Sequence, residues 1–114
     1  MSRFASGLMP PYYAVIFTAQ QSDDLAGYGP MAAAMVETAA EMDGFLGVES
    51  TRGADGLGIT VSYWRDEAAI AAWKAHARHA VAQKKGREQW YEHYELRVAK
   101  VERAYAGPEG RSET

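Results

Sequence analysis

The 114-residue chain contains no cysteine. That absence removes disulfides, thiolate nucleophiles, Cys-ligated zinc and iron–sulfur clusters together. It also contains no asparagine, which matters once candidate chemistries are weighed. No apolar run approaches the ~18 residues needed to span a bilayer, and residues 1–11 lack the apolar core of a secretory leader. The expectation is a cytoplasmic protein with no membrane partner. Basic charge is scarce as well: 12 Lys and Arg face 15 Asp and Glu, for a formal net charge of −3. The basic residues are scattered rather than gathered, so no surface is expected to track a phosphate backbone and nucleic acid is excluded as a partner.

What is present suffices for one core. Hydrophobic residues make up 47% of the chain, with seven Tyr, three Trp and three Phe, which excludes wholesale disorder. The length fits one compact domain and not two. Residues 1–11 end in a double proline and residues 106–114 are polar and broken by Gly and Pro, so both read as tails around a domain at 12–105.

Within that domain, Tyr12 to Ala19 is aromatic, β-branched and apolar on both faces, as expected of a strand covered on two sides. Met31, Ala34, Met35, Thr38, Ala39 and Met42 recur at helical spacing, with Gly44 as the stop. Phe45 to Arg52 and Leu57 to Arg65 form two strands around the turn GADG, with Ile59, Val61 and Tyr63 on one face and Thr60, Ser62 and Trp64 on the other. Asp66 caps a second helix with Ile70, Trp73, Ala77 and Val81 as its apolar stripe, ending before Gly86. Tyr94 to Tyr105 supplies a last strand. The order β-α-β-β-α-β predicts an α+β, ferredoxin-like fold: a four-stranded antiparallel sheet with both helices on one face. The other face is left bare, and the simplest cover is a second copy of the chain, giving a homodimer joined through the open sheet faces as a dimeric α+β barrel.

The element order, the phrase DGFLGVES after the first helix, VSYW closing the third strand, AAWKAH in the second helix and WYEHYELRVAKVERAY at the end resemble the antibiotic biosynthesis monooxygenase (ABM) domain family over about residues 12–105. The resemblance implies the dimeric barrel. It also implies a place among small enzymes that include cofactor-free oxygenases of aromatic polyketides, haem-degrading enzymes and members of unknown role.

Candidate site residues follow from spacing. At about 100° per residue, His76 lies beside the stripe of Ile70 and Trp73, while His79 points away from it. His76 is therefore placed to serve as a general base at the margin of a pocket, or else to bond a backbone carbonyl at a helix edge. A metal site on the two His residues lacks a third ligand at any local spacing, so no metal is expected. Trp64, Trp73, Tyr13 and Met35 are the candidates to contact a planar ligand, although core packing explains the tryptophans equally well, and Tyr63 or Tyr13 could donate to a developing oxyanion. Trp90 and Tyr91 are expected to close the pocket or the dimer seam.

Molecular oxygen is a triplet and reacts slowly with closed-shell organic molecules. With no cofactor, the substrate itself must become an electron-rich carbanion or phenolate. A base, a few O–H or N–H donors and an apolar cavity supply what that requires. The expected function is thus a cofactor-independent monooxygenase acting with O2 on a small aromatic or quinol-like substrate. Two alternatives stand beside it. Haem degradation would want an Asn that the chain lacks and a His about ten residues after the Trp, whereas His76 and His79 follow Trp73 by three and six. A non-catalytic dimeric binding module would have its pocket shallow or filled by Met31, Met35 and Trp73, whereas an oxygenase would show a cavity with His76 exposed to it.

Overall fold

A computed structural model describes residues 3–25, 27–76 and 90–108. Six elements follow in order: β1 (Tyr12–Gln21), α1 (Tyr28–Glu41), β2 (Phe45–Arg52), β3 (Leu57–Trp64), α2 (Glu67–Ala75) and β4 (Tyr91–Val101). The strands form one antiparallel sheet in the order β2-β3-β1-β4. This is the ferredoxin-like arrangement that the element order predicts.

The sheet's two faces separate by strand alternation. Val15 and Trp64 belong to a buried cluster with Ala39 of α1 and Ala69 and Ile70 of α2, against which Tyr13, Phe45, Trp73 and Leu96 pack. Register carries that assignment across the sheet, because Tyr13 lies opposite Trp64, Val15 opposite Ser62, and Phe17 opposite both Thr60 and Leu96. These residues therefore face the helices. Ile16, Ile59, Val61 and Tyr63 face the other way, and Ile59 is 42% exposed.

Local chemistry fixes the junctions. Asp66 caps α2, its carboxylate accepting the Ala69 backbone N–H at 2.8 Å, which satisfies one of the orphan donors of the first turn. Gly44 turns the chain from α1 into β2 at φ +90°, and a Cβ there would lie 2.6 Å from the Ala69 Cβ. Only glycine supplies both the left-handed backbone and the room. Its carbonyl accepts the Arg65 N–H at 2.7 Å, tying the start of β2 to the end of β3. Beside it, Arg65 grips Asp43 through two N–H···O bonds of 3.0 and 3.1 Å, and this hydrogen-bonded guanidinium holds the Asp43 carboxyl below its usual range.

Several boundaries differ from the sequence reading. Helix α1 begins at Tyr28, ahead of the Met31 stripe, and β4 runs Tyr91–Val101 rather than Tyr94 to Tyr105. Helix α2 ends at Ala75: His76 is its C-cap, with ψ 136°. The placement of His76 by helical angle is thereby corrected, because the chain has already left the helix at that residue. Ala77, His79 and Val81 lie outside the described residues.

Candidate active site

A cavity of about 520 Å³ opens between the helix-side face of the sheet and α1. Its size falls in the range of small-molecule sites, roughly 300–1,000 Å³. Ala32, Met35, Val36 and Ala39 of α1 form one wall, at the i, i+3, i+4, i+7 spacing that puts them on a single helix face. Val15, Phe17 and Leu96 form the apolar floor on β1 and β4, and Phe45 and Trp73 also line it. Tyr28, Trp90 and Tyr91 complete the lining, with the Tyr28 ring edge-on to Trp90 at 5.4 Å.

Three groups of polar side chains interrupt these walls. The first lies on β3 and β2. Trp64 is 0% exposed, and its indole N–H donates to Ser62 Oγ at 2.9 Å. A hydroxyl that accepts in this way keeps its own proton to give, and Ser62 lines the cavity. Next to it Thr60 and Ser50 share a hydrogen bond of 3.0 Å between their hydroxyls.

The second group gathers around Tyr28. The Tyr91 hydroxyl donates to the Tyr28 hydroxyl at 3.4 Å, and Arg52 Nη2 donates to the same oxygen at 3.3 Å. Burial, with the Tyr28 contact, pushes the Tyr91 phenol well above its usual range, so it stays protonated and serves as a donor at neutral pH.

The third lies on the β2 edge, where the segment before β1 meets the sheet. Glu49 accepts the Tyr63 hydroxyl at 2.5 Å through Oε1 and the Ala5 backbone N–H at 2.9 Å through Oε2. Glu49 and Arg3 both line the cavity. Burial, followed by the bond to Glu49, pushes the Tyr63 phenol up to about 12.

The residues singled out from the sequence divide accordingly. Met35 and Trp73 line the cavity. Trp64 lies beneath it as a core residue, its ring 5.1 Å from Trp73 and 5.3 Å from Phe45. Tyr13 packs against the buried cluster. Tyr63 sits on the opposite face of the sheet, its hydroxyl engaged by Glu49. His76 is half-buried beyond α2, with its backbone N–H on the Trp73 carbonyl, and is not among the described lining residues. Spacing did not single out Ser62, Glu49, Tyr28 or Arg52. Ser62 was readable only as a small polar residue on the same strand face as Thr60 and Trp64, and Glu49 only as a carboxylate within the second strand.

The sequence profile of the antibiotic biosynthesis monooxygenase family matches residues 11–85. The chain belongs to this family. Within and around the family, it is 57% identical over 94 residues to the uncharacterized protein YqjZ of Bacillus subtilis, with 82% of each chain covered. It is 36% identical over 94 residues to the jasmonate monooxygenase ABM of Pyricularia oryzae, covering 78% of this chain but 43% of that protein's length. Among solved structures, the cofactor-independent oxygenase SnoaB of Streptomyces nogalater superposes with a TM-score of 0.71 at 13% identity, covering 83% of this chain and 97% of SnoaB. Rv0793 of Mycobacterium tuberculosis gives 0.70 at 17% identity, covering 82% and 98%. At these identities the superpositions establish a shared ABM fold.

Proposed function

We propose that this ABM-family protein is a monooxygenase that uses O2 to oxidise a small, largely apolar aromatic or quinol-like molecule held in the cavity between the sheet and α1. The observation that carries this reading is the cavity itself: about 520 Å³, apolar on its floor and along α1, with hydroxyl donors from Ser62 and Tyr28 placed on its walls. The relatives named for monooxygenase and oxygenase activity support it, one by sequence and one by fold. A binding module with its pocket filled by Met35 and Trp73 fits the cavity less well, since both residues line it. The haem reading wants an iron-ligating His on the wall, and none is among the described lining residues.

The chemistry balances without an outside reductant. A CH2 group next to an electron-rich ring loses two hydrogens and gains one oxygen atom, and the second oxygen leaves as water, so the substrate supplies all four electrons that reduce O2. The protein's part is to take a proton, stabilise the resulting anion and keep bulk water out. Glu49 alternates with Val48 and Ser50, so its carboxylate shares the far face of the sheet with Tyr63 and accepts the Tyr63 hydroxyl and the Ala5 backbone N–H there. Its part is to hold the β2 edge and the segment before β1 together. We assign the proton acceptor's role to His76, which follows the Trp73 wall of the cavity at the end of α2, with Ser62 and Tyr28 as donors to the anion. Homodimers through the open face, where Ile59 is exposed alongside Ile16 and Val61, would bury that apolar surface and cover the Tyr63–Glu49 pair.

Oxygen uptake with a panel of anthrones, hydroquinones and jasmonate tests the reading. A substrate-dependent uptake should fall at least tenfold in His76→Ala, a typical share for an acid–base group, and stay near wild type in Glu49→Gln. The reverse order would move the base to Glu49, and no uptake with any compound would remove the activity.

A further inference from the structure

Val48, Ser50 and Arg52 alternate along β2, so the Arg52 side chain shares the cavity face with two lining residues. Arg52 pairs with Gly58 across the hairpin, and its guanidinium lies flat over that glycine: a Cβ at position 58 would meet Cζ at 2.5 Å and both Nη atoms at 2.7 Å. The missing side chain of Gly58 is what makes the slot. Arg52 Nη1 donates to the Gly56 carbonyl at 2.6 Å and Nη2 to the Tyr28 hydroxyl at 3.3 Å, with Cζ 6.0 Å from the centre of the Tyr28 ring. The hairpin turn needs only the first of these contacts.

Guanidinium offers five N–H donors, and those two bonds leave three. No carboxylate forms an ion pair with Arg52 among the described residues, although the side chain is half-buried. A positioned guanidinium without an anion, set beside two phenols at the end of an apolar cavity, is built to receive a planar anion in bidentate fashion.

We propose that Arg52, with the Tyr28 hydroxyl that Tyr91 supports, forms an anion subsite that takes the carboxylate of an amphipathic acid whose apolar body lies along Met35, Phe17 and Leu96. The proposal rests on the cavity being the substrate site, as argued above.

Isothermal titration with 6-phenylhexanoate and its neutral amide tests this without any turnover. Wild-type protein is expected to bind the acid about tenfold more tightly than the amide, the lower end for charge-assisted pairing. Arg52→Gln should lose that preference while amide affinity holds, and Arg52→Lys should keep part of it. Gly58→Ala retains the arginine but displaces the guanidinium, and should lose the preference too, with thermal melts confirming that each variant folds. Equal affinity of the wild type for acid and amide, no binding of either, or a preference that survives Arg52→Gln would overturn the subsite. The oxygenase reading fails separately: acid preference without oxygen uptake leaves the anion subsite standing, whereas oxygen uptake by a wild-type protein that binds acid and amide equally leaves the oxygenase standing and removes the subsite.

Discussion

Replacing Ser62 by alanine removes the acceptor of the indole N–H of the fully buried Trp64. Trp64 is 0% exposed and its N–H reaches Ser62 Oγ at 2.9 Å. In Ser62→Ala that donor is left beneath the cavity floor, between Phe45 and Trp73, without a protein acceptor. A stranded donor costs about 1–3 kcal/mol, so a loss of ~2 kcal/mol is expected. At about 4–8 °C per kcal/mol for a domain near 100 residues, the melting temperature should fall by roughly 10 °C. Thermal and urea melts of Ser62→Ala, Trp64→Phe and the double variant form a cycle, in which the pair should couple by about 1–2 kcal/mol because the double variant strands no donor. The same change removes a cavity donor, so activity per folded molecule should drop as well. A Ser62→Ala protein that melts within about 2 °C of wild type, with no coupling to Trp64→Phe, would refute this view of the buried bond.

Other changes read out different parts of the structure. Gly44→Ala faces both the left-handed backbone penalty and a 2.6 Å contact with the Ala69 Cβ, for a combined loss of about 3 kcal/mol in urea unfolding; a loss under about 1 kcal/mol would show that the junction relaxes freely. Tyr63 has a phenol raised from 10.0 to about 12. The folded state therefore holds that proton longer than the unfolded chain, and the stability it contributes is intact below pH 10 and lost as pH rises to about 12. Tyr63→Phe should flatten this alkaline limb of the stability curve, and an unchanged slope would contradict the assignment. Asp66→Ala should lower the melting temperature by uncapping α2, whereas Asp66→Asn, which keeps a capping oxygen, should restore most of it.

The sheet and its element order were legible because alternation, helical spacing and the Asp66 and Gly44 signals agree with one another. The Thr60, Ser62, Trp64 alternation grouped the residues that share the helix-side face. The end of α2 was not legible: no Gly or Pro lies between Ala75 and Gly86, and the alanine-rich run through Ala82 carries helical propensity past the point where His76 turns out of the helix. That one boundary sets His76 at the helix end rather than on its flank. Tyr63 was read as a cavity donor from its chemistry, yet strand alternation alone sets it on the face opposite Trp64. Arg52 reaches the site through tertiary placement, by the bond of its guanidinium to the Tyr28 hydroxyl on α1, and that relation does not exist in local sequence.

The central claim, that the cavity beside α1 holds the molecule O2 oxidises, is tested most directly with isotopically labelled O2 in wild type and Met35→Trp. Met35 lines the cavity, and a tryptophan there would fill it while leaving the sheet untouched. The expected result is product carrying one labelled oxygen atom in wild type and at least a tenfold loss of that product in a Met35→Trp protein that melts normally, in keeping with the steric exclusion of ligand. Labelled product formed at an undiminished rate in Met35→Trp would place the chemistry elsewhere.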